Sequence, residues 1–230
     1  MNHPAEGEAT RAPVDMLAGR RTSVRRAVVL YAILFAAALA PPGVSPWSSA
    51  IAQADAIWLS IDTRTLTLHV MRGSSILRSY DNIAIGSNGT TWDKQILDEK
   101  TPLGDFKISE IRSSKRFHLF LAIDYPTMDH AQRALRAKRI SAREYDSLRE
   151  AWSHGQAPPQ DTGLGGHLGI HGIGSGSMAI HSKINWTNGC IAVTNEQVEE
   201  LAGWVDVGTR VVIHQQPADD LPAATVRVEK

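Results

Sequence analysis

With one cysteine in 230 residues, this chain has no internal disulfide, so its stability must come from a packed core. Lys plus Arg and Asp plus Glu number 24 each, for a formal net charge of zero; nothing in these totals points to nucleic acid or a membrane surface as partner. The uncharged stretch Ala27 to Ala40 is short. At 1.5 Å per residue it reaches about 21 Å against a hydrocarbon core of roughly 30 Å, which argues against a permanent transmembrane anchor. No internal repeat or low-complexity tract interrupts the chain.

The N-terminal segment reads as an export signal. Arg20, Arg21, Arg25 and Arg26 precede the apolar run, and Pro41-Pro42-Gly43 and small residues follow it, ending in the A-x-A pattern Ala50-Ile51-Ala52,. The expectation is a signal peptide over 1–52, cleaved after Ala52, and a protein exported to the periplasm or cell envelope. The n-region is long, so Met16 is an alternative start, and Arg20-Arg21 hints at twin-arginine export. Residues 53–215 are long enough for one domain and short for two. The tail 216–230, with Pro217, Asp219, Asp220 and Pro222, reads as flexible,.

Ile57, Leu59 and Ile61 alternate along one run and Leu66, Leu68 and Val70 along the next, with Asp62-Thr63-Arg64 as turn material, a hairpin pattern,. Ile83 and Ile85, Phe106 and Ile108, Leu119 to Ile123, and Val205 to Ile213 add further strands. The expected class is mostly β, a sandwich or barrel-like domain. Between about 127 and 153 the apolar spacing turns helical, with Met128, Ala131 and Leu135, then Tyr145, Leu148 and Trp152. Ser141 and Glu144 have capping-box spacing, so two short helices are expected with a break near Ile140. Arg133, Arg136, Lys138, Arg139 and Arg143 make this insertion basic; it reads as a solvated face or as a lid or docking surface for an anionic partner. Thr194-Asn195-Glu196-Gln197 opens another helix just after the cysteine,.

The lone cysteine lies in Thr187-Asn188-Gly189-Cys190-Ile191, downstream of Gly169-Ile170-His171-Gly172. An unpaired thiol in an oxidising compartment is a liability unless it works, although most free cysteines are small buried hydrophobes. A thiol is mostly protonated at neutral pH, so attack on an amide needs a base and donors for the oxyanion. His171 is the natural base. The amides of Asn188, Gly189 and Cys190 are natural donors, with Thr187 and Gly172 in support and Gly189 allowing close approach of a substrate. His181 and Trp186 are candidates to face the substrate, His181 also as an alternative base. Zinc binding by His167, His171 and His181 is disfavoured, because position 168 is Leu and nearby glycines argue against a helix,. Gly172-Ile173-Gly174-Ser175-Gly176 lacks the βαβ context of a dinucleotide loop and fits an active-site loop better,.

The order of these motifs resembles the L,D-transpeptidase catalytic domain, the YkuD family. The histidine and cysteine segments carry the resemblance together with Asn82-Ile83-Ala84-Ile85-Gly86, the run Thr101 to Ile108, and the closing run Val207 to Ile213, so it spans almost all of 55–214. It implies an L,D-transpeptidase-like fold with a helical insertion and a helix after the cysteine. It also implies a thioester between Cys190 and a peptidoglycan stem peptide, proton transfer through His171, and no metal or organic cofactor. An amine acceptor then gives cross-links or attachments and water gives hydrolysis. Asn188 stands where many members have His, and Ala192 where many have Arg, which removes a cation that could pair with a substrate carboxylate,. The form Trp186 to Asn195 looks like the branch that includes proteins releasing a murein-bound lipoprotein. The contrasting hypothesis is a cell-wall binding module with an idle thiol.

Overall fold

The computed structural model describes residues 56–215; the expected signal segment and tail lie outside the described residues. Strands β1 (Ile57–Asp62) and β2 (Thr67–Arg72) form the hairpin that the alternation predicts. Their inward residues Leu59, Ile61, Leu68 and Val70 are fully buried. Asp62 closes the turn by accepting from the Arg64 amide at 2.9 Å, an Asx-type contact that favours a turn over a continuing strand.

β3 (Ser75–Asp81) was not apparent from the sequence. It pairs antiparallel with β2 at the edge of the sheet, and along it only Tyr80 is buried, so it has no apolar alternation to read. After it come β4 (Thr90–Thr91) and β5 (Thr101–Pro102), a small parallel pair, then β6 (Gly104–Ser114), β7 (His118–Ile123), β8 (Gly169–Gly172), β9 (Ile191–Val193) and β10 (Arg210–His214). Eight strands make one mixed sheet in the order β3-β2-β1-β10-β6-β7-β8-β9. β6 joins its two halves: residues 104–107 pair with β10 and 108–114 with β7, with an irregularity between Ile108 and Glu110. The sheet stays open, ending at β3 and β9. The domain is therefore mostly β and sandwich-like, not a closed barrel.

Two segments differ from the pattern expected. Ile83 and Ile85 sit in a run that bridges the sheet only at Ala84–Ala192 and Gly86–Thr187. The last strand is confined to Arg210–His214, after a turn in which the Thr209 amide donates to Asp206 O at 3.0 Å.

The insertion forms α1 (Met128–Arg136) and α2 (Ala142–Ser153), separated near Ile140 as the capping box requires. Both halves of that box are made: the Glu144 amide donates to Ser141 Oγ and Glu144 accepts from the Ser141 amide. The buried face of α1 is His130, Ala131 and Ala134, one step round from the predicted Met128, Ala131 and Leu135. A polar anchor sets this rotation, because His130 Nε2 reaches Leu103 O at 3.0 Å while its ring stacks on Phe106 at 5.5 Å. A short helix, α3 (Met178–His181), precedes the cysteine loop, and α4 (Asn195–Ala202) follows it with a complete box between Thr194 and Gln197. Among the described residues no helix is long and apolar enough to cross a membrane.

Candidate active site

β8 and β9 run parallel, with His171 opposite Ala192. Cys190, one residue before β9, is thereby brought level with Gly169, the first residue of β8, two residues before His171. Cys190 and His171 line one cavity of about 320 Å³, together with Arg116, Phe117, Phe120, Trp186, Thr187, Asn188 and the 166–168 segment. Gly189, φ +122°, carries the chain into this position; a Cβ there would stand 2.6 Å from Lys100 O, so a larger residue would push the cysteine loop off the 92–100 loop.

His171 is almost wholly buried, at 1% exposure. Phe117 lies 4.0 Å from its ring centre, Phe120 stacks at 5.9 Å, and Trp186 meets it edge-on at 5.9 Å. Guanidinium groups cap the outer faces of this stack, Arg116 over Phe117 and Arg112 over Phe120. Burial pushes His171 down to about 4, and the Arg116 charge pushes the same way, against the hydrogen bond to Gly172. That bond fixes the tautomer. Nδ1 lies 2.8 Å from the Gly172 carbonyl; a carbonyl only accepts, so Nδ1 carries the proton and Nε2 keeps its lone pair.

Cys190 is half-buried as a residue, with its sulfur enclosed. Burial pushes the thiol up to about 11, opposed by the Gly169 amide and by the charges of Lys94 and Arg116. Its Sγ donates to His167 O at 3.7 Å. Both shifts favour the uncharged form, a thiol at Cys190 and a neutral imidazole at His171.

Of the other residues singled out in the sequence, Thr187 braces the cysteine loop and makes no bond to His171: its Oγ1 donates to Cys190 O at 2.7 Å and accepts from the Gly189 amide at 3.1 Å. That occupies one of the three amides expected to stabilise an oxyanion. Asn188 and Cys190 have amides with no acceptor among the described residues. His171 is held by its neighbour's carbonyl at Gly172, not by Asn188. Trp186 lines the cavity, whereas His181 sits behind it: Trp186 Nε1 donates to His181 Nδ1 at 3.3 Å, and the buried Nε2 of His181 has no partner. Trp186 meets both the His171 and the His181 rings edge-on. His167, His171 and His181 do not converge, and no group of three metal-ligating side chains occurs among the described residues. The helical insertion contributes no residue to the lining of this cavity.

Two contributors were missed in the sequence. Lys94 is 3% exposed, its Nζ 2.6 Å from Asp98 Oδ1, in a loop packed beside the cysteine loop; a buried lysine has no pattern that reveals it. Arg116 reaches the cavity from the β6–β7 turn, where an arginine ordinarily reads as solvated.

With this geometry, residues 54–213 match the family model described as the L,D-transpeptidase catalytic domain. The chain belongs to that family. Solved structures similar to it include Bd1075 of Bdellovibrio bacteriovorus, with 18% identity, 72% of this chain and 49% of that one covered, and a TM-score of 0.46. The helical cell shape determining protein Pgp2 of Campylobacter jejuni shows 20% identity, coverage of 72% and 52%, and a TM-score of 0.44. The catalytic domain of the Enterococcus faecium L,D-transpeptidase shows 14% identity, coverage of 70% and 98%, and a TM-score of 0.40. The matched part spans about half the length of the first two proteins. No curated protein sequence matches this chain.

Proposed function

We propose that this chain is a cysteine acyltransferase acting on peptidoglycan stem peptides, in the cell envelope, reached through the signal segment at 1–52. The observation that carries the reading is the placement of Cys190 and of His171, with its free Nε2, on one cavity, beside amides that have no acceptor. As Sγ bonds to the peptide carbonyl carbon, its proton passes to His171 Nε2, and the amides of Asn188 and Cys190 receive the oxyanion. Collapse breaks the C–N bond, the His171 proton goes to the leaving amine, and a thioester on Cys190 remains. An acceptor amine then attacks the thioester and gives up its proton through His171, and the thiol leaves reprotonated; water in the same place completes hydrolysis. Because both groups rest neutral, no charged pair has to be desolvated before substrate arrives.

The test is intact-protein mass spectrometry after incubation with a stem tetrapeptide, followed by analysis of the muropeptides formed. The expected result is an acyl adduct on the wild type and none on Cys190→Ala, whose melting temperature stays close to that of the wild type. An adduct that survives Cys190→Ala overturns the reading. Cross-linked or exchanged products distinguish transpeptidation from hydrolysis, and release of a murein-bound lipoprotein would identify the hydrolytic branch.

A further inference from the structure

Away from the cysteine cavity, the end of α1 and the loop leading to Lys94 enclose an open cavity of about 610 Å³, lined by Arg133, Arg136, Ala137, Arg139, Asp93 and Gln95. Three guanidinium groups face one carboxylate, in a chain whose total charge is zero. The carboxylate is already engaged: Asp93 Oδ1 lies 2.6 Å from Arg139 Nη2. Arg139 Nη1 is buried and has no hydrogen-bond partner, which is costly for a charged donor unless an acceptor arrives from outside. Arg133 is held over the Trp92 ring at 5.3 Å, so its fork is partly ordered before any ligand binds. Arg136 is exposed and has no ion pair among the described residues. Arginines in the last turn of α1 also complement the helix dipole, but that role needs neither a shared cavity nor an unpartnered Nη1.

Apolar side chains stand close by in sequence: Trp92 is 49% exposed, Ile96 50% and Leu97 90%. A guanidinium cluster beside exposed apolar side chains suits carboxylates on a peptide better than a bare phosphate chain.

We propose that this cavity is a second binding site, taking a carboxylate-bearing stem peptide of the polymeric substrate other than the one acylated at Cys190. This rests on the peptidoglycan reading above. The site anchors polymer, and the loop that forms one wall of it, residues 92–100, continues to the backbone at Lys100 that packs on Gly189.

The experiment uses the full chain and insoluble purified peptidoglycan, with Arg133→Gln/Arg136→Gln and Arg133→Lys/Arg136→Lys as paired variants. Arg139 is left in place because its pair with Asp93 ties the insertion to the loop. The Gln pair is expected to lose about tenfold in affinity at low salt, with the difference vanishing at high salt, and the Lys pair to fall between the Gln pair and the wild type, because it keeps the charge but not the stacked fork. Amidating the carboxylates of the peptidoglycan should weaken the wild type to the level of the Gln pair. Acylation of Cys190 by a soluble tetrapeptide should change by less than about twofold in both variants. Undiminished binding by the Gln pair, a loss that persists at high salt, or equal wild-type binding to amidated polymer each overturns the proposal. Stronger competition by inorganic polyphosphate than by free stem peptide assigns the site to phosphate and overturns it too. If no tetrapeptide acylates the wild type, the acyltransferase reading fails while the binding result still decides this site.

Discussion

His171 illustrates how packing sets chemistry at a single side chain. A buried ring between Phe117 and Phe120, with Arg116 nearby, resists a positive charge, and a thiol enclosed near His167 O resists a negative one. Both shifts favour neutral partners, so proton transfer waits for substrate. For acylation, kcat/KM is expected to rise as pH increases through about 4, where His171 loses its proton, and then to stay level across the neutral range,. In His171→Ala the plateau should disappear and the rate should climb with pH toward about 11, where the thiol itself ionises. At neutral pH that variant should lose about 10²- to 10⁴-fold, measured as the rate of adduct formation. His181→Ala should lose far less, because that ring does not line the cavity and its Nδ1 is engaged by Trp186. Equal losses would mean that the wrong histidine has been assigned as base.

Among the elements, those with a local chemical signature were the ones legible in the sequence. Ser141 with Glu144 and Thr194 with Gln197 announce helix starts, and both boxes form. The Asp62 turn announces a hairpin, and it forms. β3 carried no such signal, since an edge strand facing water has nothing to alternate. The face of α1 was read one step off because His130, a polar residue, is its innermost anchor. At the site the motifs pointed to the loop and the strand, while the outer cavity wall came from Arg116, a turn residue whose position depends on a long-range pairing. α4 links element to site: Asn195, its first residue, accepts from the Gly174 amide at 2.8 Å and donates to Gly174 O at 2.9 Å, clamping the start of the segment that leads to Trp186. Removing the cap with Thr194→Ala should cost about 1 kcal/mol in chemical denaturation. It should also raise KM more than it lowers kcat, if loosening α4 loosens that clamp. A kcat loss at unchanged KM would contradict this link.

For the whole molecule, buried histidines couple folding to acid. His171 falls to about 4 in the fold from an ordinary value near 6.5, so between those values the unfolded chain binds more protons. Stability therefore decreases as pH drops through that window and levels off below about 4, with up to about 3 kcal/mol at stake from this group. His130 and His181 are shifted the same way by burial. Asp124 acts in the opposite sense: burial raises it to about 6 from 3.8, so its contribution is present at low pH and is lost as pH rises through about 6. Thermal melts from pH 7 to pH 4 should show a net fall. In His171→Phe, where a ring without a proton site replaces the imidazole, the fall should be smaller; an identical slope would remove His171 from this account.

The order of the sheet also bears on how the chain reaches this state. β10 is the last of the described strands in sequence, yet it lies in the interior of the sheet between β1 and β6, pairing Leu59 and Phe106 with the same Val211. A ribosome must release nearly the whole domain before those two edges can be joined, and contacts about 150 residues apart are slow to find,. Until then β1 and β6 present open backbone to any other extended chain. A chain stopped at Thr209 should consequently remain soluble only with a chaperone and should elute as aggregate on gel filtration. Every partly synthesised copy of this domain is an unfinished sheet, and completion belongs to its final five-residue strand.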